Sequence, residues 1–238
     1  MLQPVLDKNR SSQGKQAVTE ALFSVFNNAN VTKVAEFLNA YPRLNEDKDQ
    51  MGRTPIQALT EAPVWVWQEN DRPRQEIYHL LVQSGADPTV VSAIVSGDVD
   101  GIRGFLDRDA PFIHMPLETH GGKHLPLSLA AMFNSPAVME QLIMAGADVH
   151  ADYEAALIEA AWSNSVKAAE MLFQHGAQIN PSSRESHPLH HACYDISPKT
   201  AIFLLNNNAD PNALGRIGRV EGSPLMMALK TYNRWDGE

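Results

Sequence analysis

The chain is poor in cysteine and in long apolar runs. Cys193 is the single cysteine in 238 residues, so no internal disulfide can form and no oxidising compartment is required. No run of about 18 apolar residues occurs, so the sequence predicts no membrane-spanning helix. Gln3, Pro4 and Asp7 interrupt the first apolar stretch, which is too polar for the core of a signal peptide. These absences predict a cytoplasmic protein.

Positive charge is also scarce. Lys and Arg number 19 against 28 Asp and Glu, for a formal net charge of -9. An acidic surface repels phosphates, which argues against nucleic acid as a partner and favours a basic protein surface. The sequence contains no nucleophile elbow, phosphate-binding loop, dinucleotide fingerprint or zinc-protease motif. We therefore predict a chain that is not an enzyme and needs no cofactor.

What the chain contains is internal repetition. One series of similar segments follows helical apolar patterns: GADP at 85–88, GADVH at 146–150, GAQIN at 176–180 and NADPN at 208–212. A second series interlocks with the first: TPIQAL at 54–59, LPLSLA at 125–130, HPLHHA at 187–192 and SPLMMA at 223–228. The spacing from the second series to the first recurs, since Leu125 to Gly146 and His187 to Asn208 are both 21 residues.

This spacing and signature resemble the ankyrin repeat of about 33 residues. Residues 49–56 match the family's D-x-x-G-x-T-P-L tip, and residues 187–192 match its T-P-L-H-x-A motif. The resemblance covers residues 17–238 and implies an all-α solenoid of stacked helix-turn-helix units. We expect about six full repeats and a terminal half repeat.

The predicted organisation is an N-terminal arm at 1–16 followed by the repeat domain at 17–238. Its units are approximately 17–48, 49–86, 87–118, 119–148, 149–181, 182–212 and 213–238. The rhythm breaks at an insertion in the second unit, a missing hairpin in the third and a missing hairpin tip in the fifth. Long exit loops are expected at 114–124 and 214–222.

In ankyrin proteins, the partner surface is generally the concave side, built from hairpin tips and first helices. The resemblance implies a set of partner-binding candidates: Gln50, Met51, Arg53, Glu61, His124, Met132, Phe133, Trp162, Arg184, Ser186, Tyr194 and Asp195. Trp65 and Trp67, in the insertion at 63–74, join this set because long loops in compact folds are usually functional or disordered. Many candidates are aromatic, as is typical of binding hot spots. The alternative interpretation is that the aromatic side chains fill gaps between irregular units.

Two groups of residues invite a metal interpretation. His187, His190, His191 and Cys193 lie within one helical start, but a helical pair of ligands needs a third, and the resemblance assigns His190 a backbone hydrogen bond. Four aspartates (Asp98, Asp100, Asp107 and Asp109) surround another helix, yet no glutamate stands at the twelfth position of a calcium loop. We predict no metal site and a solvated acidic face.

The function predicted is a protein-protein interaction scaffold that is monomeric alone and binds a basic partner. It could inhibit or neutralise that partner, in the manner of a toxin-immunity protein. One alternative is a secreted effector directed at a host cell. Others are the ankyrin portion of a larger enzyme-bearing polypeptide, suggested by the half repeat after residue 212, and self-association through that apolar end unit.

Overall fold

The computed structural model describes residues 21, 30–41, 46–49, 52–60, 72–119, 122–182 and 187–235. The chain divides into two compact units, Met1–Ser96 and Gly97–Glu238. The described helices of the first unit are α1 (Val31–Ala40), α2 (Pro55–Thr60), α3 (Arg72–Gln83) and α4 (Val90–Ser96). Within it, α1 packs on α3, and α2 packs on both α3 and α4.

The second unit contains eight described helices and two short hairpins. The helices are α5 (Val99–Asp109), α6 (Pro126–Met132), α7 (Pro136–Met144), α8 (Ala151–Trp162), α9 (Val166–Gln174), α10 (Pro188–Tyr194), α11 (Pro198–Asn206) and α12 (Pro224–Trp235). A 3-10 helix, Ala110–His114, follows α5. None of the helices in the described ranges is both long enough and apolar enough to cross a membrane.

The helices of the second unit form two layers. The first helix of each repeat packs on the first helix of the next, giving the order α6, α8, α10, α12. The second helices pack in the same way, in the order α5, α7, α9, α11. We call the exposed side of α6, α8 and α10 the first-helix face. This arrangement is the stacked helix pairing that the repeats predict.

Small residues explain why the first helices pack closely. Ala130, Ala160 and Ala192 occupy equivalent positions and are at most 1% exposed. The second helices α7, α9 and α11 each contribute a fully buried leucine to the space between the layers: Leu142, Leu172 and Leu204. Because one helix pair cannot bury this surface alone, each repeat depends on its neighbours for its core.

The helix ends follow simple backbone rules. Proline begins α6, α7, α10, α11 and α12, where its missing N–H costs no helical hydrogen bond. Gly146 and Gly176 end the second helices α7 and α9 with φ of +100° and +96°, in the left-handed region that glycine enters without a Cβ penalty. Asn208 takes this role after α11 with φ of +64°. Asparagine is the usual substitute for glycine at this position.

Polar side chains join successive repeats. The Ser165 hydroxyl donates to the Met132 carbonyl at 3.2 Å, and the Ser197 hydroxyl donates to the Trp162 carbonyl at 2.9 Å. In addition, the Asn164 side-chain oxygen accepts from the backbone N–H of Lys199 at 3.0 Å. These bonds occupy backbone groups left open at the helix ends and fix the distance between neighbouring repeats.

The two predicted exit loops are hairpins. β1 (Leu117–Thr119) pairs antiparallel with β2 (Gly122–His124), and β3 (Gly215–Ile217) pairs antiparallel with β4 (Val220–Gly222). Helices nevertheless dominate the described residues, which fits the predicted all-α solenoid. Short strands of three residues give too little alternation to be recognised from sequence.

Candidate functional site

Four titratable side chains from three neighbouring repeats meet on the first-helix face. His124 ends β2, and its Nδ1 lies 3.3 Å from Glu159 Oε1 on α8. His191 and Asp195 belong to the next repeat, on α10 and at its C-cap, and both interact electrostatically with Glu159. The side chains of His124 and Glu159 retain 14% and 23% of their exposure. The cluster is therefore half-buried but reaches the surface.

Burial shifts the protonation of this cluster. It raises the pKa of Asp195 to about 6, a shift that the hydrogen bond from Trp162 opposes and the negative charge of Glu159 increases. Burial also lowers the pKa of His191 to about 4, against the attraction of Glu159. At neutral pH, His191 is therefore uncharged and Asp195 is ionised. The cluster then carries net negative charge in a poorly solvated position.

Aromatic and apolar side chains surround these charges. Trp162 ends α8 and donates a hydrogen bond to Asp195. Tyr194 occupies the position equivalent to Trp162 in the next repeat, and both are half-buried. Ile196 follows Asp195 and is 60% exposed with a φ of +53°. A half-buried carboxylate beside aromatic surface is a suitable site for a cationic side chain.

The structure brings four predicted candidates to this face: His124, Trp162, Tyr194 and Asp195. Phe133, the C-cap of α6, lies half-buried in the preceding repeat. Met132 is only 6% exposed because it belongs to the core, so little of its side chain is accessible to a partner. The remaining candidates of this unit, Arg184 and Ser186, lie outside the described residues.

The second-repeat candidates belong to the first compact unit. Arg53 forms an ion pair with Asp49 at 2.7 Å, and its backbone N–H donates to the same carboxylate at 2.9 Å. Gly52 makes this tight tip possible with a φ of +78°. The Arg53 side chain therefore has a structural partner within its own repeat. Gln50, Met51, Glu61, Trp65 and Trp67 lie outside the described residues.

The residues that suggested metal binding have other roles. His190 Nε2 lies 3.1 Å from the carbonyl oxygens of both Ala213 and Gly222, so its N–H is shared between two backbone acceptors. Burial lowers the pKa of His190, consistent with a neutral ring. Burial raises the pKa of the half-buried Cys193 thiol. Across the described part of the chain, no three His, Cys, Asp or Glu side chains are grouped to hold a metal ion.

The aspartates around α5 are only partly a solvated face. Asp98 is the N-cap of α5, and its carboxylate accepts from the Gly101 N–H at 2.9 Å. A Cβ on Gly101 would collide with that carboxylate. Asp100, Asp107 and Asp109 are exposed, as predicted. The cap of this helix therefore needs glycine at position 101.

Sequence reasoning missed Glu159 and considered His191 only as a metal ligand. Both occupy the repeat position that Leu129 fills in the core of α6. Aligning the repeats at Ala130, Ala160 and Ala192 shows a carboxylate and an imidazole replacing leucine at that position. A polar residue at a repeat position otherwise apolar was the available signal.

Comparison with known proteins supports the repeat assignment. Residues 127–215 match the family model of ankyrin repeats in three copies. An alignment over 147 residues that covers 57% of this chain gives 30% identity to the Ankyrin repeat and KH domain-containing protein mask-1 of Caenorhabditis elegans. The alignment covers 5% of that protein, so the similarity concerns a small part of the relative's length.

The match identifies ankyrin repeats at residues 127–215, and the predicted resemblance to that family is confirmed over this range. Ankyrin repeats are in general protein-protein interaction modules rather than catalysts. The matched region contains α8 and α10 and therefore most of the half-buried cluster on the first-helix face.

Proposed function

We propose that the chain binds a partner protein through the first-helix face, with Glu159, Trp162, His191 and Asp195 at the centre of the contact. The observation that carries this proposal is the replacement of core leucine by charged and ionisable groups in two successive repeats. Packing between repeats gains nothing from a half-buried carboxylate, because desolvation costs free energy unless an opposite charge compensates it.

The charge of the cluster favours a basic partner. Glu159 and an ionised Asp195 face each other across α8 and α10, and His191 stays neutral at physiological pH because burial holds its pKa near 4. A lysine or arginine of the partner would restore the lost solvation of both carboxylates and could stack on Trp162. The chain's overall charge of -9 would speed the encounter with such a partner.

The test is an affinity measurement on a partner captured from cells that make this protein. The variant Glu159→Gln/Asp195→Asn removes both charges and preserves side-chain shape. We expect it to weaken binding by at least about tenfold, because it removes both charges available to the partner's cation. The matched control is Glu140→Gln/Glu170→Gln, the same chemical change on the second helices α7 and α9.

The control variant should bind within about twofold of the unmodified chain, the scatter expected of contacts outside the interface. Equal affinities for the two double variants would contradict the proposed face. Thermal unfolding of each variant shows whether a loss of affinity reflects a loss of folded protein.

The finer role that we propose is inhibition of the basic partner in the cytoplasm by a monomer of this chain. A face extending over three repeats covers enough of a partner's surface to block access to it. The partner's own activity, measured with and without a stoichiometric amount of this chain, tests the role. Binding without any loss of activity would favour an adaptor instead.

A further inference from the structure

The start of α8, where the chain arrives from α7, has an uncommon backbone. Asp152, Tyr153 and Glu154 adopt consecutive left-handed conformations, with φ of +50°, +56° and +67°. This conformation costs roughly 1–2 kcal/mol for a residue with a Cβ, and aspartate tolerates it better than tyrosine or glutamate. The surrounding structure must hold these three residues in place, and such strain is typical of functional sites.

A buried carboxylate and a half-exposed imidazole hold the turn. Glu154 is 4% exposed, and its Oε1 lies 2.7 Å from His150 Nδ1. The hydrogen bond to Glu154 and the charge of that carboxylate raise the pKa of His150. The His150 backbone N–H in turn donates to Asp148 at 2.9 Å. These contacts join residues 148 and 150, before Tyr153, to Glu154, the residue after it.

The same turn leaves one polar atom unsatisfied. Glu154 Oε2 is buried without a hydrogen-bond partner among the described residues. Beside the turn, a cavity of about 150 Å³ is lined by residues that include Ser128, Asp148 and Ala151. The unsatisfied oxygen does not improve packing, since a buried oxygen without a hydrogen-bond partner costs stability. Stability of the fold alone therefore does not account for the turn.

The turn exposes the side chain of a tyrosine. Tyr153 is 76% exposed, the largest exposed fraction recorded for a large apolar side chain in the described chain. Asp148 and Asp152 beside it are also exposed. The sequence contains no lysine or arginine between Lys123 and Lys167, so no basic side chain of this stretch competes for the ring or the carboxylates.

We propose that Tyr153 is a partner-contact residue that receives an arginine or lysine side chain of the partner protein, and that the His150–Glu154 pair positions it. The ring offers its face to the cation, while Asp148 and Asp152 supply opposite charge nearby. This inference rests on the proposed function and adds a second contact, at the turn that begins α8, to the contact on the first-helix face.

The test uses the full chain and a blocked heptapeptide of alternating glycine and arginine, with a glycine-glutamate heptapeptide as the charge control. Titration is followed by NMR at the amides of residues 152–154 and at the Tyr153 ring. We expect the arginine peptide to shift these signals and the glutamate peptide to leave them in place. If the arginine peptide does not shift them, the proposal is wrong.

Variants assign the contact to the ring and its support. Tyr153→Phe keeps the aromatic face and should bind the arginine peptide within about twofold, whereas Tyr153→Ala should bind at least about tenfold more weakly. Glu154→Gln removes the charge that holds His150 and should weaken binding several-fold although Tyr153 is present. Unchanged binding by Tyr153→Ala would refute the contact, and unchanged binding by Glu154→Gln would refute the positioning role.

The captured partner separates this inference from the proposed function. Loss of partner affinity in Glu159→Gln/Asp195→Asn but not in Tyr153→Ala would overturn the contact at the turn and leave the first-helix face standing. The opposite pattern would overturn the face and support the turn. Losses in both variants support both contacts.

Discussion

Two connections in the second unit join a second helix to the next first helix, and they do so in different ways. Between α11 and α12, strands β3 and β4 form a hairpin. The buried His190 donates to the carbonyl of Ala213, just before β3, and to that of Gly222, at the end of β4. Between α7 and α8, no strands form. Instead, Asp152, Tyr153 and Glu154 at the start of α8 take left-handed conformations. At the α6 position equivalent to His190 stands Ser128, which lines a cavity.

The two connections differ in what they contribute: the hairpin stabilises the stack, whereas the turn exposes a side chain. The hairpin pairs its backbone groups and satisfies the buried imidazole N–H, so it contributes to the stability of the stack. The short turn contains strain, an unsatisfied carboxylate oxygen and an exposed Tyr153. A repeat protein can keep a strained connection because neighbouring repeats supply the stability that it lacks. Irregular connections are therefore informative places to look for function.

The largest expected effect is a loss of stability when His190, the side chain that supports the hairpin, is removed. His190→Ala should lower the free energy of unfolding by about 2–5 kcal/mol, because it leaves a cavity and two carbonyl groups without their shared donor. Urea denaturation measures it. The control is His175→Ala on α9, a half-exposed histidine that should cost less than about 1 kcal/mol. Equal losses in the two variants would show that His190 does not hold the hairpin.

A smaller loss is expected from crowding the same histidine. A Cβ at Gly215 would lie 2.8 Å from His190 Nε2, so Gly215→Ala should cost about 1–3 kcal/mol by displacing the ring or β3. In Gly104→Ala, the new methyl group meets no atom within 4 Å on the exterior of α5. That control should instead stabilise the chain by up to about 1 kcal/mol through helix propensity. A stabilising Gly215→Ala would contradict the close contact.

A substitution that relieves strain in the turn should raise the free energy of unfolding rather than lower it. Asp152→Gly removes the Cβ penalty of the left-handed conformation and should raise the free energy of unfolding by about 0.5–1 kcal/mol. Asp152→Asn keeps a short polar side chain that tolerates the conformation, and it should change stability by less than about 0.5 kcal/mol. Thermal unfolding compares the two. A destabilising Asp152→Gly would mean that the turn is not strained at this residue.

The smallest expected effect is an opposite pH dependence of the two connections. His190 has a lowered pKa because it is buried, so its stabilising contribution is present above the ordinary histidine pKa of about 6.5 and is lost as pH falls. His150 has a raised pKa because of Glu154, so its contribution is present below about 6.5 and is lost as pH rises through the raised value. The hairpin should loosen in acid and the turn in base.

Amide exchange measured by NMR, corrected for the intrinsic effect of pH, can follow residues 215–222 and residues 151–156 separately. His150→Gln should abolish the dependence at the turn and leave the hairpin unchanged. If the two segments lose protection in the same direction, the assigned protonation states are wrong.

Much of the repeat architecture could be predicted from the sequence. Glycine at 146 and 176 and proline at 126, 188 and 224 mark helix boundaries by backbone preference alone, and the structure has them there. The backbone hydrogen bond of His190 was also correct, because a short motif specifies it. Local rules of this kind depend on few neighbouring residues and therefore transfer well.

The candidate site could be predicted only in part. Trp162, Tyr194 and Asp195 were identified by repeat position, yet their contacts with Glu159 and His191 depend on the distance between neighbouring helices. Met132 was expected at the surface, but it is buried because the helix turns its side chain into the core. The turn at 152–154 has no sequence signature, since a missing hairpin does not say which backbone replaces it.

The central claim is that a partner binds on the first-helix face, and site-specific photo-crosslinking tests it most directly. A benzophenone amino acid replaces Tyr194 on α10 in one protein and Phe173 on α9 in another, both being aromatic positions with accessible side chains. Irradiation in cells that make the protein should yield one defined crosslinked protein from position 194 and none from position 173. Crosslinking from position 173 alone would contradict the account.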